Sequence, residues 1–444
     1  MTVPSFLTVG SSPVKRAFKF RVYPTDAQAE ELSRTFGCVR KVYNLALAAR
    51  TAARDAGQPV SYSQSSAMLT EWKRMPELAF LADVSCVPLQ QALRHLQSAF
   101  SGFWAKRAKY PRFKSKRSSR ASAEYTRSAF RYRNGLLTLA RVPGPLPIAW
   151  SRPLPAGIEP TTVTVSRDRA GRWFVSLLCE DTPTPMPPAT RAVGIDLGLT
   201  SLVTLSTGEK IPGARHEYRD RDRLARANRS LSRKQKGSRN WAEARIRVAR
   251  IHARTADRRH DHLHKLTTRL VRENQTLVIE DLAVRNMQKN GRLARAITDA
   301  AWSELRRMLE YKADWYGREL IIADRWFPSS KLCSHCGAVA AAMPLSARTW
   351  RCEHCGVTHD RDENAANNLL AAGLAASACG ADGSPRRGPS PARRSATKQE
   401  GLTARAGIRP PREDGEAKQA RLGVSNAALP SAMPADTLRT SSQQ

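Results

Sequence analysis

Two Cys-x-x-Cys pairs, Cys333/Cys336 and Cys352/Cys355, constrain the fold of this 444-residue chain more than any other feature. Fifteen residues separate the pairs, which is within the spacing of structural metal sites made of four cysteines. Four thiolates complete a tetrahedron around one ion and leave no position open for chemistry. The spacing therefore predicts a zinc ribbon over residues 330–358, with a structural Zn²⁺ ion.

The other cysteines show no comparable spacing. A disulfide framework is untypical of a long chain with few, unevenly placed cysteines. We therefore predict four free thiols in a reducing compartment, at Cys38, Cys86, Cys179 and Cys379. His335 and His354 lie inside the two Cys-x-x-Cys pairs and are expected at the surface, because four sulfurs already complete the site.

The charge of the chain predicts its class of partner. Lys and Arg number 73 against 39 Asp and Glu, a formal net charge of +34 at pH 7. Such an excess favours nucleic acid first and an anionic membrane surface second. No apolar run approaches the ~20 residues of a spanning helix, and the first ten residues do not follow a signal-peptide pattern. We therefore predict no membrane partner and a cytoplasmic, nucleoid-associated location.

Three acidic residues follow apolar segments or open a helix. Asp196 ends a short apolar strand and precedes Gly198, and Glu280 ends a second apolar strand. Asp362 follows the ribbon and opens a helix that is predicted to end near Leu370. A carboxylate in an apolar setting is costly unless it is paired or binds metal. Three such groups can hold two Mg²⁺ ions for phosphodiester cleavage, the arrangement predicted for Asp196, Glu280 and Asp362. Their neighbours Asp281 and Asp360 are expected to support these three acids or to cap a helix.

Two basic segments are candidates for nucleic-acid contact. The first, residues 219–270, is predicted to be helical with a break near Gly237, and the second is Tyr110–Arg117. Basic groups grip the backbone, and interleaved aromatic rings can stack on bases. The predicted contacts are Tyr110, Arg112, Lys114, Lys116, Arg117, Arg233, Lys234, Lys236, Arg245, Arg250 and Arg254. The alternatives are a solvated helix face for the first segment and internal packing of the aromatic residues in the second.

A His-apolar-His pattern, His262-Leu263-His264, lies within the first basic segment. Tyrosine single-strand transposases bind metal with such a pair on a strand. In a helix the two side chains point to different faces, so we expect no metal site here.

The remaining pattern predicts further elements. Residues 17–23 alternate apolar and basic positions and predict a strand, followed by a helix capped by Thr25. A hairpin is predicted around Asp168–Gly171, a helix over Asn286–Gly317 and a buried strand over Leu320–Ala323. Residues 1–13 are expected to be a disordered leader and residues 380–444 a disordered basic tail.

The acidic and cysteine motifs together resemble those of TnpB proteins, the OrfB-type nucleases of bacterial insertion sequences related to type V CRISPR nucleases. The resemblance rests on Gly-Ile-Asp-Leu-Gly at 194–198, Ile-Glu-Asp-Leu at 279–282 and the ribbon followed by Asp-Arg-Asp-Glu-Asn-Ala-Ala-Asn at 360–367. It extends over about residues 14–370 and implies that Asp196, Glu280 and Asp362 are the catalytic acids.

The resemblance also implies an architecture and partners. The fold class is multidomain α/β and α+β, with an RNase H-like (RuvC) nuclease core, an inserted zinc ribbon, an N-terminal helical lobe and a small β-barrel wedge. The expected boundaries are 14–24 and 111–188 for the wedge and linker, 25–110 for the recognition lobe and 189–379 for the nuclease. The partners are target DNA and a guide RNA from the element, and the oligomeric state stays open.

Three functions are compatible with these residues. The first is a transposon-encoded, RNA-guided DNA endonuclease. The second is a transposase that cuts and joins element ends, although the order Asp, Glu, Asp with a ribbon before the last acid favours the nuclease. The third is a guided DNA-binding regulator without nuclease activity, which the presence of all three acids disfavours.

Overall fold

A computed structural model describes residues 13–117, 119–344 and 346–379 of the chain. Most of the predicted leader, residues 1–13, and the whole predicted tail, residues 380–444, lie outside the described residues. Within the described part, no helix is long and apolar enough to cross a membrane. The described elements pack around two hydrophobic cores, one in each half of the chain.

The N-terminal half combines three helices with a sheet. The helices are α1 (Asp26–Asp55), α2 (Tyr62–Arg74) and α3 (Cys86–Trp104), with short 3₁₀ turns at Pro76–Leu81 and Arg127–Ala129. The strands are β1 (Val14–Val22), β2 (Ala121–Thr126), β3 (Phe130–Arg133), β4 (Leu136–Leu139), β5 (Ile148–Ala149), β6 (Pro160–Arg167) and β7 (Trp173–Asp181). Thr25 caps α1 as predicted, because its hydroxyl accepts from the Gln28 amide and the Gln28 side chain accepts from the Thr25 amide.

Five of these strands form an antiparallel sheet in the order β2-β6-β7-β1-β5, and β3 pairs with β4 in a separate hairpin. The predicted hairpin around Asp168–Gly171 is confirmed as β6 and β7. The strand pairs among the described residues leave β2 and β5 as edges, so the hydrogen bonds form an open sheet instead of the expected closed barrel. Closure is unnecessary because α1, α3 and the β3–β4 hairpin contribute to the same core as the sheet.

The C-terminal half has a second, mixed sheet. Its strands are β8 (Ala192–Asp196), β9 (Ser201–Leu205), β10 (Lys210–Pro212), β11 (Thr276–Glu280) and β12 (Glu319–Ala323), and a separate pair is formed by β13 (Thr349–Arg351) and β14 (Thr358–Asp360). Its helices are α4 (His216–Ser232), α5 (Arg239–Glu273), α6 (Val284–Met287), α7 (Ala294–Ala300), α8 (Trp302–Tyr316) and α9 (Arg361–Cys379). The break predicted near Gly237 separates α4 from α5.

The main sheet has the order β10-β9-β8-β11-β12, in which β8, β11 and β12 are parallel. Helices α5 and α8 share a core with one face, where Val193 and Ile195 point. Helix α9 covers the other face, where Gly194 points. Because both faces are covered, β8 and β11 are apolar until their last residue, as parallel strands usually are.

Helix α9 lies unusually close to this sheet. A Cβ atom added to Gly194 would lie 1.9 Å from the Ala366 carbonyl oxygen, and one added to Gly373 would lie 2.4 Å from Val278 Cγ2. Glycine on both elements therefore permits a close approach that any side chain would block. This contact fixes the position of α9 along β8.

Three predicted elements need correction. The predicted helix Asn286–Gly317 is divided into α6, α7 and α8, because turns follow α6 and Ala301 adopts a left-handed backbone with φ 53°. Helix α9 continues to Cys379 instead of ending near Leu370. Strand β12 is an edge strand with partly exposed side chains, not a fully buried one.

Candidate active site and cysteine cluster

The two strand-end acids meet at one edge of the main sheet. Strands β8 and β11 are parallel neighbours, with Ile195 paired to Ile279, so Asp196 and Glu280 end them side by side. Successive side chains alternate between faces. Since Gly194 and Val278 contact α9, Asp196 and Glu280 also point to the α9 face.

Helix α9 begins at this same edge and brings Asp362 in its first turn. Its neighbour Asp360 has a different role, because one of its carboxylate oxygens accepts from the amides of Asp362 and Glu363, each at 3.1 Å. The other oxygen accepts from Lys210 Nζ at 2.6 Å. Burial alone would raise the pKa of Asp360, but Lys210 and the two amides hold it below its usual value. Asp360 thus caps the helix, as expected, and leaves Asp362 to face the other acids.

The three acids influence one another electrostatically. Burial, followed by the nearby Glu280 and Asp362, raises the pKa of Asp196 to about 8. Burial raises the pKa of Glu280 to about 7, although the Leu197 amide donates to its carboxylate at 3.2 Å. Carboxylates crowded in this way keep protons unless a cation neutralises them. Oxygen ligands of this type are preferred by hard cations such as Mg²⁺, so the site fits a divalent ion.

The acids lie farther apart than the cysteines. Among the described residues, only the four cysteines form a group of three or more metal-binding side chains whose ligand atoms lie within 4.8 Å of one another. At least one pair of the three carboxylates therefore exceeds this separation.

Two arginines near the acids were missed by the sequence analysis. Arg348, from the segment between the cysteine pairs, lies 3.7 Å from Asp362 and donates to the Thr200 hydroxyl at 3.3 Å. Arg325 pairs with Asp281, which also pairs with Arg306. The negative charge of Asp281 is therefore balanced by Arg306 and Arg325, in line with a supporting role. No local sequence pattern predicts the role of Arg348, because its contact with Asp362 forms only when the segment between the cysteine pairs packs beside the start of α9.

The cysteine cluster has the dimensions of a tetrahedral metal site. The sulfurs of Cys333 and Cys355 lie 3.7 Å apart, as do those of Cys336 and Cys352. Four sulfurs at ~2.3 Å from one Zn²⁺ would be ~3.8 Å apart, whereas a disulfide requires ~2.05 Å. The residues therefore fit a four-thiolate zinc site.

Each cysteine pair is shaped by the same turn. Gly337 donates to the Cys333 carbonyl and Gly356 to the Cys352 carbonyl, both at 2.9 Å and both with φ 75°. A left-handed backbone favours glycine, so the glycine after each pair was a usable signal. His335 and His354 are exposed, as expected. Instead, His359 brings its Nε2 to 3.0 Å from Cys333 Sγ, a contact that sequence reasoning did not find.

Two buried asparagines attach the cysteine cluster to α9. Asn368 donates to the carbonyls of Ser329 and Leu332, at 2.8 and 2.7 Å. Asn364 donates to Leu332 at 2.7 Å and accepts from the Ser334 amide at 2.9 Å. Because the same helix carries Asp362, the cysteine cluster and this acid are both attached to α9.

The basic surface of α4 and α5 is largely free of acidic partners. Among the described residues, none of the six predicted contacts of this surface forms an ion pair: Arg233, Lys234, Lys236, Arg245, Arg250 and Arg254. All six are exposed. Arg250 and Arg254 line a groove of about 530 Å³ together with Arg21 and Arg172 of the N-terminal sheet. This groove is suited to a polyanion.

Only part of the second basic segment, Tyr110–Arg117, is exposed to solvent. Tyr110 packs edge-on against Phe100 and Phe103, and its hydroxyl lies 2.9 Å from Thr51 Oγ1. Lys114 exchanges backbone hydrogen bonds with the Asn44 side chain and is half-buried. Tyr110 therefore packs as the internal-packing alternative describes, and the nucleic-acid contacts of Tyr110 and Lys114 stay predictions. Exposed residues remain at Arg112, Phe113, Lys116 and Arg117.

The histidines of α5 do point to different faces. The His262 ring lies 6.1 Å from that of His216, whereas the His264 ring lies 4.3 Å from that of His260. The prediction that the two side chains point to different faces agrees with these contacts.

Three family models match parts of the chain. The OrfB_IS605 model, described as "Probable transposase", matches residues 175–291. A Cas12f1-like TNB domain matches residues 302–369, which include the cysteine cluster and Asp362. A helix-turn-helix model of the same OrfB group matches residues 12–59. In the structure this last region is strand β1 followed by one uninterrupted helix, α1.

Relatives match over nearly their full length. A protein from Streptomyces pristinaespiralis named "Putative RNA-guided DNA endonuclease" is 70% identical over 89% of this chain and 98% of its own. InsQ of Escherichia coli K12, which carries the same description, is 36% identical over 82% of this chain and 94% of its own. Among solved structures, Cas12f1 in complex with its guide RNA and target DNA aligns with TM-score 0.51 and 12% identity, over 81% of this chain and 99% of that one. This last match concerns the fold alone.

Proposed function

Because the chain belongs to the TnpB family, we propose that it is a transposon-encoded, RNA-guided DNA endonuclease whose catalytic acids are Asp196, Glu280 and Asp362. One observation carries the site assignment. Three motifs far apart in sequence bring carboxylates to one edge of the main sheet, where the pKa of Asp196 is raised to about 8 by burial, Glu280 and Asp362.

The proposal includes the architecture of the catalytic half. Strands β8 to β12, with α5 and α8 on one face and α9 on the other, would form the RNase H-like (RuvC) core. Residues 330–358 would be a zinc ribbon inserted before α9, held by Cys333, Cys336, Cys352 and Cys355. The N-terminal helices and sheet would correspond to the recognition lobe and wedge. We expect the enzyme to act on nucleoid DNA in the cytoplasm.

The chain's own residues supply the setting for hydrolysis. Two Mg²⁺ ions bound at this site would activate water and stabilise the leaving oxygen. Strands β8 and β11 hold Asp196 and Glu280 in place, and the Leu197 amide fixes the orientation of the Glu280 carboxylate. The capped first turn of α9 presents Asp362. Arg348 adds a positive charge at the same edge, which suits the phosphate of a DNA strand.

The basic surface would hold the nucleic acids. Exposed residues of α5 and the preceding loop, Arg233, Lys234, Lys236, Arg245, Arg250 and Arg254, would contact phosphates of the guide RNA or target DNA. Arg112, Lys116 and Arg117 would add a second contact region. Phosphate contacts position a duplex without reading its sequence, which suits an enzyme that leaves sequence reading to base pairing.

The test uses protein purified from cells that express the whole element. The co-purifying RNA is sequenced, and a DNA duplex complementary to its guide segment is offered in Mg²⁺ buffer. We expect cutting by the wild type and a loss of about 100- to 1,000-fold in Asp362→Asn, the size of effect seen when one main transition-state stabiliser is removed. Asp360→Asn is the matched control and should cut normally, because asparagine also caps helices.

Two outcomes would contradict the proposal. Normal cutting by Asp362→Asn together with loss in Asp360→Asn would exchange the roles of these residues. Joining of element ends by the purified protein, without guided cutting, would instead support the transposase alternative.

A further inference from the structure

A second cleft lies beside the acids and takes no part in the chemistry proposed above. It has a volume of about 260 Å³. Its walls come from the loop after β8, the first turn of α4, the middle of α5 and helix α7. The backbone is strained at one point of its lining, because Arg215 adopts a left-handed conformation with φ 44°. Such conformations cluster at functional sites.

The polar wall of this cleft lacks partners. His216 is 9% exposed, and within the described part of the chain neither of its ring nitrogens has a hydrogen-bond partner. The same is true of His262 Nε2 and Arg259 Nε. Buried polar atoms are satisfied in more than about 90% of cases. Several orphaned atoms around one cleft therefore point to a ligand with its own donors and acceptors.

The histidines suit a neutral ligand. Burial lowers the pKa of both His216 and His262, so both rings are neutral at pH 7. A neutral imidazole offers one donor and one acceptor. The acidic side chain of this wall, Asp299, already has protein partners, since its carboxylate accepts from the Glu217 amide and from Arg259.

The rest of the cleft suits a flat aromatic ligand. Leu199, Leu202 and Leu263 supply an apolar wall. Tyr218 stands at the rim with 65% of its surface exposed, and the Arg221 guanidinium lies 5.0 Å from its ring centre. Exposed aromatic rings with neighbouring arginines are stacking platforms for unpaired bases.

The cleft is linked to the acids through a short loop. Leu197 donates its amide to Glu280, and the next residues, Gly198 and Leu199, line the cleft. Thr200 accepts from Arg348, which also approaches Asp362. The loop that lines the cleft therefore follows directly after the strand that carries Asp196.

We propose that this cleft binds one unstacked nucleobase of the DNA strand being cut, with His216 and His262 on the base edge and Tyr218 on its face. The assignment of this base to the DNA strand being cut rests on the proposed nuclease function. Holding this base fixes the register of the strand, so that one particular phosphodiester bond reaches the acids. His216, His262 and Tyr218 are positioning residues in this proposal.

The test uses the four deoxynucleosides, which carry no phosphate and are not drawn to the basic surface. Saturation-transfer NMR with the full chain should show transfer to the base protons. Loss of one stacking contact weakens binding by about 5- to 140-fold, so Tyr218→Ala should remove the signal. His216→Phe should also remove it, with thermal stability unchanged or raised because an unpaired buried polar group is replaced by an apolar ring. His252→Phe, on an exposed turn of α5, is the matched control and should keep it.

Three results would overturn the proposal. One is the absence of transfer in the wild type, and another is an unchanged signal in both Tyr218→Ala and His216→Phe. The third is a second bound metal per chain that disappears in His216→Phe. The nucleoside experiment does not require guided cutting. The nuclease proposal would fail in a different measurement: the wild-type protein would leave a DNA duplex complementary to its guide RNA uncut.

Discussion

Asp196→Asn is predicted to stabilise the protein in Mg²⁺-free buffer while abolishing its cutting. Burial and the other acids raise the pKa of Asp196 from 3.8 to about 8. At pH 7 the unfolded chain would release this proton, whereas the folded chain retains it. Since pH 7 is about three units above the unfolded-state pKa of 3.8, retaining this proton costs about 4 kcal/mol of folding free energy, at about 1.4 kcal/mol per unit. Because buried charges are partly relieved by relaxation and water, about 2 kcal/mol is expected. Asparagine removes this penalty.

The sign of the pH dependence follows from the raised pKa. Between pH 4 and pH 8 the folded state binds more protons than the unfolded state, so the contribution of Asp196 to stability is lost as the pH rises. Wild-type stability should therefore fall over this window more steeply than that of Asp196→Asn. The stabilities of the two proteins should converge towards about pH 3.5, where Asp196 is protonated in the folded chain and mostly so in the unfolded chain.

Thermal unfolding followed by circular dichroism provides the assay. At pH 7.5 without Mg²⁺, a gain of about 2 kcal/mol should raise the midpoint by about 4 °C, taking about 2 °C per kcal/mol for a chain of this size. Added Mg²⁺ should stabilise the wild type and close the gap, because a ligand that binds the folded state stabilises it. A midpoint equal to or below that of the wild type in Mg²⁺-free buffer at pH 7.5 would refute the reasoning.

Three further predictions concern packing. Gly194→Ala should lower the unfolding free energy by about 3 kcal/mol or more, since its Cβ would lie 1.9 Å from a carbonyl oxygen of α9, whereas Gly291→Ala, with open space, should not. Asn368→Ala should cost about 1 kcal/mol or more, because the Ser329 carbonyl loses its 2.8 Å bond while Asn364 still donates to the Leu332 carbonyl, and it should speed zinc release to a colorimetric chelator. Tyr110→Ala should lower the midpoint of unfolding, whereas Phe113→Ala, at an exposed position, should leave it unchanged and weaken RNA binding in a filter assay.

The strand-end acids were predictable because their signals are local. An apolar run that ends in an acid defines the strand, and the alternation of side chains then places Asp196 and Glu280 on one face once the strands pair. The cysteine spacing is equally local. Asp362 and Asp360 were distinguished only by a hypothesis, and the structure separates them through Lys210, whose partner is 150 residues away in sequence.

The missed features depend on contacts between distant segments. Tyr110 looks like a surface aromatic beside basic residues, yet three partners on α1 and α3 enclose it. The His216 and His262 rings meet only because α4 folds back against α5. No local sequence pattern at either histidine predicts the contact between the two rings. Sequence reasoning therefore found the acids and the thiolates but not the cleft beside them.

Helix α9 explains why the three motifs act as one unit. Its first turn carries Asp362, the following turns hold the cysteine cluster through Asn364 and Asn368, and a later turn lies against β11 at Gly373. The start of the helix is held by the Asp360 cap, which Lys210 secures, and by hydrogen bonds to the segment between the cysteine pairs. If the four thiolates bind one ion, as proposed, that ion would order the helix that presents Asp362. A metal without a role in the chemistry would then affect the geometry of the acids.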